Sequence, residues 1–216
     1  MVKNVKMSES IFKAPFTCIV SGASCSGKTT FVERILNNRE VLINPPPSKV
    51  LYCYGELTPK IIEWKHKGIE PYYGFPSEEE IKVRTPNLLL ILDDLLTDLE
   101  ENVKLVNKLF TRGSHHWNFS VILITQNIYD KNLRLLRLNS HYLVLLRNPQ
   151  GQDQIRTLSH QMYPSKRNFF LESFADATIK HFSYLFIDVH PSTSDNRRLS
   201  TNIFPEEKRV FYIPKI

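Results

Sequence analysis

The sequence predicts an α/β fold, a mainly parallel sheet flanked by helices. Three observations carry this. Strand-length apolar runs alternate with helical periodicity along almost the whole chain, the pattern of consecutive strand–helix–strand units. The run Leu88 to Leu92 is apolar at every position, as suits a strand covered on both faces. A loop with two glycines, 22–29, stands where the first strong strand gives way to the first clear helix.

The elements follow in order. Residues 1–13 are polar and lysine-rich and read as a loose arm, which leaves 14–216 as one domain. Phe16 to Val20 is short, apolar and β-leaning, and ends in Ser21-Gly22. From Lys28 the period changes: Phe31, Val32, Ile35 and Leu36 fall on one helical face. Pro45-Pro46-Pro47 then stops regular structure. Lys49 to Tyr54 reads as a second strand and Pro59 to His66 as a short helix. Segment 68–86 contains glycine, proline and a Glu78-Glu79-Glu80 run, and reads as an exposed connection, an insertion rather than a linker.

Beyond the Leu88 strand, Leu99, Val103, Val106 and Phe110 recur at helical spacing. Val121 to Ile124 and Tyr142 to Leu146 read as strands, and Leu133 to Leu138 between them as a helix. Gln152 to His160 and Phe169 to Ala177 read as helices, Tyr184 to Val189 as a late strand, and Arg209 to Ile213 as an edge strand.

Composition narrows the class. The chain has 216 residues, 42% hydrophobic and 23% charged, enough to bury a full core without staples. Its three cysteines, Cys18, Cys25 and Cys53, show no CxxC spacing. That argues against a disulfide scaffold and fits a reducing compartment; Cys18 and Cys53 read as thiols inside a core. No apolar run is long enough for a membrane helix and no signal peptide is visible, so no membrane partner is expected. The net charge of +6 leans weakly toward polyanionic partners.

The residues that carry chemistry begin with Gly22-Ala23-Ser24-Cys25-Ser26-Gly27-Lys28-Thr29, followed by Thr30. This matches the phosphate-binding Walker A pattern in full, with a strand before it and a helix after it. Gly22 and Gly27 let the backbone curl so that its N–H groups face phosphate oxygens. The helix N-terminus adds its positive end. Lys28 reaches the β- and γ-phosphates of ATP, and the Thr29 hydroxyl binds Mg²⁺. The bland alternative is a Gly/Ser-rich turn.

Leu88 to Leu92 ends in Asp93-Asp94, a Walker B arrangement. A carboxylate at the end of a buried parallel strand stands where α/β ligands bind. Asp93 would hold Mg²⁺ and Asp94 would act as general base; the bland reading of either is a helix cap. Val121 to Ile124 runs into Thr125-Gln126-Asn127, where Gln126 orients the attacking water or simply forms a turn. Arg112, just before that strand, is either an arginine finger for a neighbouring site or a solvated surface residue. His115 and His116 lack companion ligands for a metal. The later cations Arg134, Arg137, Arg147, Lys166, Arg167, Arg197 and Arg198 fit a DNA channel or an ordinary solvated surface.

The base-reading motif of GTPases is absent; the nearest string is Asn107-Lys108-Leu109-Phe110. Three readings remain: a motor ATPase, a small nucleotide kinase, and a non-catalytic ATP-binding switch. Here the chain resembles a known family. The segments SGASCSGKTTF (21–31), LLLILDDLL (88–96), LFTRGSHHWNFSVILITQN (109–127), HYLVLLRNPQGQDQI (141–155) and RRLSTNIF (197–204) are similar to viral DNA-packaging ATPases of the FtsK–HerA superfamily. The poxvirus-type enzymes of large DNA viruses and Polinton/adintovirus-like elements are the nearest in pattern. The likeness runs from about Pro15 to Phe204.

The resemblance implies a RecA-like sheet, a ring homo-oligomer (a hexamer), and ATP-driven movement of double-stranded DNA into a capsid, with capsid proteins as partners. It implies an intracellular setting in the host cell, nuclear or cytoplasmic, and association with the virion. It implies Asp93 at Mg²⁺, Asp94 as base, Gln126 as polar sensor and an arginine finger near Arg112. Two positions depart from the family pattern. Asp94 stands where many members carry Glu, and Gly113-Ser114-His115 stands where Gly-Arg-His is frequent, which leaves the finger at Arg112 or at Arg147.

Overall fold

Leu88, Leu90 and Leu92 pack into one apolar layer, and Leu89 and Ile91 into another. Val121 and Leu123 repeat the alternation against Ile122 and Ile124. Successive strand residues point to opposite faces, so an unbroken apolar run feeds two cores at once, one above the sheet and one below. The computed structural model describes residues 10–93, 95 and 101–215. Its strands, in chain order, are β1 Phe12–Lys13, β2 Thr17–Ser21, β3 Ile43–Asn44, β4 Lys49–Tyr54, β5 Ile69–Tyr73, β6 Leu88–Asp93, β7 Phe119–Thr125, β8 Tyr142–Leu146, β9 Tyr184–Asp188, β10 Leu199–Thr201 and β11 Val210–Tyr212.

Nine of them form one sheet, ordered β11-β10-β9-β8-β2-β7-β6-β4-β5. From β8 to β5 every pairing is parallel; β9, β10 and β11 are added antiparallel. The strand that carries the glycine loop, β2, is thus the middle of the sheet, and β7 separates it from β6. Helix α1, Lys28–Asn37, buries Phe31, Val32, Ile35 and Leu36 on one face of the sheet. Gln152–Met162 and Arg167–Ala177 cover the other with Ile155, Leu158, Phe170 and Phe174.

Three expectations need correcting. Segment 68–86 is not an irregular insertion: it supplies edge strand β5 and the helix Glu78–Lys82. Pro71 is tolerated in β5 because an edge strand pairs on one side only. The acidic run is the helix's first turn, closed by a capping box in which the Ser77 side chain accepts from Glu80 N–H and the Glu80 carboxylate accepts from Ser77 N–H. Secondly, Ile11 and Phe12 do not belong to a loose arm. Phe12 is fully buried and its strand pairs with β3. Thirdly, the helix that includes Val103 and Val106 passes through a π-helical turn, Leu109–Gly113, before Ser114–His116; Leu99 lies outside the described residues. The edge strand expected near the C-terminus is β11, whereas β10, which connects it to the sheet, has no strong sequence signal.

Cys18 and Cys53 are free and buried, and burial pushes both thiols up. Among the described residues no helix is long and apolar enough to cross a membrane.

At the end of the sheet opposite the glycine loop, the rings of His115 and His190 flank that of His141, with centroids 5.4 and 5.6 Å away. Thr17 N–H can only donate, so the His141 Nδ1 it meets at 3.1 Å accepts, and the neutral ring carries its proton on Nε2. Burial first, then the neighbouring His115 and His190, lowers the His141 pKa to about 4 from 6.5. A depressed histidine costs nothing while neutral and destabilises as pH falls, because the unfolded chain takes up the proton first. Thermal stability will therefore decline on acidification from 6.5 towards 4. Replacing His141 by glutamine will flatten that slope; an unchanged slope in melting-temperature-against-pH curves refutes the assignment.

Candidate active site

The loop 22–29 leaves β2 at its C-terminal end, where Ser21 is level with Thr125 of β7 and Leu145 of β8. Gly22 N–H donates to Thr125 O, and Ala23 N–H to Arg147 O, each at 3.3 Å. The loop is thereby pinned to both neighbouring strands. It then closes on itself, with Ser26 N–H donating to Ala23 O at 3.2 Å. The curl uses left-handed backbone at Cys25 (φ 59°) and Gly27 (φ 100°). A Cβ on Gly22 would stand 2.6 Å from Ser26 Oγ, and one on Gly27 would stand 2.6 Å from the Phe182 ring. Both glycines are required by space, and Gly27 by conformation as well.

No side chain caps α1, and its first turn contains no acid. The first N–H groups of a helix lack internal acceptors and carry its positive end, so this terminus is prepared for an anion. Ser26 Oγ is buried without a hydrogen-bond partner. The Lys28 ammonium bends over the loop and donates to Gly22 O at 2.9 Å and Ala23 O at 2.8 Å.

Asp93 ends β6, level with Ile124 of β7 and Tyr54 of β4. The hydroxyl of Tyr52, buried on β4, donates to Asp93 Oδ2. Burial, then the charge and hydrogen bond of Asp93, pushes the Tyr52 phenol up, so it stays a donor. Lys28, Thr29, Asp93 and Gln126 line one cavity of about 250 Å³, together with Ser24 and Cys25 of the loop. Three neighbouring strand ends therefore bring the loop, a carboxylate and an amide to one place.

Other sequence candidates fall elsewhere. Asp94 lies outside the described residues. Arg112 is exposed on the π-helical turn and does not line this cavity. Arg147 follows β8, beside the loop, and lines a second cavity of about 430 Å³ with Gln152 and Arg156. Among the described residues no His, Cys, Asp and Glu group is arranged to hold a metal ion. Sequence reasoning missed Tyr52, Glu56 and Thr58 in the lining of the first cavity. The only signal for Tyr52 was a polar-tipped ring inside the apolar run 49–54, and its meaning depends on β4 lying beside β6.

A mainly parallel α/β sheet with a glycine loop on its middle strand and a carboxylate two strands away is the RecA-like fold of the P-loop NTPases. No protein-family model and no curated protein sequence matches the chain. Solved structures do. The genome packaging NTPase B204 from Sulfolobus turreted icosahedral virus 2, in complex with ATP-gammaS, is similar with TM-score 0.54 at 12% identity, over 93% of this chain and 98% of that one. The same protein in complex with AMPPCP gives 0.52 at 14%, over 82% and 94%. A KaiC-like protein, PH0186, from Pyrococcus horikoshii gives 0.51 at 13%, over 99% and 100%. At these identities the likeness is one of fold.

Proposed function

We propose that this chain is an ATP-hydrolysing motor that moves double-stranded viral DNA into a capsid. One observation carries the reading: the 22–29 loop, Asp93 and Gln126 converge on a single cavity beside an uncapped helix N-terminus. The fold likeness to a viral genome packaging NTPase and the sequence resemblance support DNA as the polymer that is moved.

ATP suits the residues present. The loop is shaped by glycines whose replacement would collide with its surroundings, and Lys28 can swing from the loop carbonyls to phosphate oxygens. The Thr29 hydroxyl and the Asp93 carboxylate line the same cavity, and hard oxygen donors suit Mg²⁺. When bound, that ion neutralises charge on the β- and γ-phosphate oxygens. Thr29 and Asp93 would hold it, with Tyr52 orienting the carboxylate. The N–H groups of Ser24, Cys25 and Gly27 to Thr30, together with the Lys28 ammonium, bind the triphosphate. Asp94 takes a proton from water as general base, and Gln126 positions that water. Arg112, exposed and outside the lining of its own cavity, serves the site of a neighbouring subunit in a ring, a hexamer by family pattern; Arg147 is the alternative. Capsid proteins are the remaining partners, inside the host cell or on the virion.

The test is steady-state phosphate release with and without long double-stranded DNA, for wild type and Asp94→Asn. DNA-stimulated turnover that Asp94→Asn abolishes supports the motor. Turnover indifferent to DNA but raised by a nucleotide acceptor rejects it in favour of a kinase, and ATP binding without turnover rejects it in favour of a switch. Tyr52→Phe removes the hydroxyl that orients Asp93, and loss of such an outer partner lowers metal affinity roughly 10–100-fold. The expected result is a higher Mg²⁺ requirement for turnover at unchanged folding; an unaltered Mg²⁺ titration refutes the role.

A further inference from the structure

We propose that the ring of Phe182 is the platform on which the heterocyclic base of the bound nucleotide stacks; this rests on the nucleotide-binding reading of the 22–29 loop. Phe182 adopts φ 61°, a backbone region in which a bulky side chain is an outlier. The turn that imposes it is closed by Ser183, whose N–H and hydroxyl both donate to Lys180 O, at 3.2 and 2.7 Å. The result is a ring laid against Gly27 at the mouth of the loop.

Its exposure separates this ring from ordinary packing. Tyr184 packs on Phe31 at 4.6 Å and is 2% exposed. Phe182, two residues earlier in the turn before β9, lies over Gly27 at the start of α1, yet it is 57% exposed. An open aromatic face therefore stands beside the phosphate loop.

Strand order supplies the direction. Asp93 and Gln126 lie on the β6 and β7 side of the loop strand, while β9 begins on the other side, beyond β8. A triphosphate with its terminal phosphate toward Asp93 and Gln126 projects its nucleoside away from them, toward the start of β9. Stacking on an aromatic ring is tolerant of base identity, so Phe182 contributes affinity for a base rather than choice among bases.

The test compares ATP with tripolyphosphate, which lacks the base, by calorimetric titration in Mg²⁺ for wild type, Phe182→Ala and Phe182→Tyr. The expected result is that Phe182→Ala weakens ATP about 10-fold, leaves tripolyphosphate unchanged, and is rescued by Phe182→Tyr. Equal weakening of both ligands would show that the ring only props the loop, and unchanged ATP affinity would show no base contact; either overturns the platform alone. A wild type that binds neither ligand overturns the nucleotide reading and the platform with it.

Discussion

Replacing Lys28 by alanine will reduce ATP turnover roughly 10²–10³-fold, the usual loss when one group aimed at developing charge is removed. The Lys28 ammonium is held over the loop by Gly22 O and Ala23 O, within reach of whatever the loop encloses. As the β–γ bond breaks, negative charge builds on the departing β-phosphate oxygens, so the loss should fall on kcat as well as on KM. The helix it begins buries four apolar side chains, none of which depends on the lysine, so the variant will stay folded. Steady-state phosphate release together with a thermal melt checks both halves of the statement. Wild-type turnover in Lys28→Ala would remove the loop from the mechanism.

Replacing Phe12 by alanine will destabilise the fold by about 3–5 kcal/mol, the range for deleting a buried aromatic ring. Phe12 is fully buried, with its ring centroid 4.9 Å from Phe16, 5.1 Å from Tyr142 and 5.6 Å from Phe186. These rings come from three separate strands or their flanks, so the cavity cannot close by moving one element. For a chain of this size the melting temperature should drop roughly 6–20 °C. Tyr73→Ala is the matched control: its ring is 74% exposed and should change stability by less than about 0.5 kcal/mol. Equal effects of the two substitutions in chemical denaturation would place Phe12 outside the core.

Much of this molecule is legible in its residues. The loop 22–29 declares itself because its chemistry is contiguous: glycines, lysine and threonine stand at fixed offsets. Buried parallel strands declare themselves because both faces are covered, so 88–92 and 121–124 are apolar throughout. What escapes notice is set by pairing across the sheet. The segment 69–73 looks irregular because an edge strand tolerates Pro71 and exposes Glu70 and Tyr73; only its register with 50–54 makes it a strand. Phe12 looks like part of a polar arm because one apolar dipeptide among lysines and serines has no period. Its burial depends on the distant partner Ile43. The Ser77–Glu80 capping box is contiguous, but it sits inside an acidic run, Glu78 to Glu80, whose charge equally suits an exposed connection.

The site divides along the same line. Lys28, Thr29, Asp93 and Gln126 were expected together and line one cavity. Tyr52 and Phe182 could not be assigned from sequence, because their partners Asp93 and Gly27 come from distant segments.

The most direct test of the central claim is calorimetric titration of ATP with Mg²⁺ into wild type and Lys28→Ala. The account predicts one nucleotide per chain for the wild type and severe weakening in the variant. Equal ATP affinity in the two proteins, or no binding to the folded wild type, would contradict it.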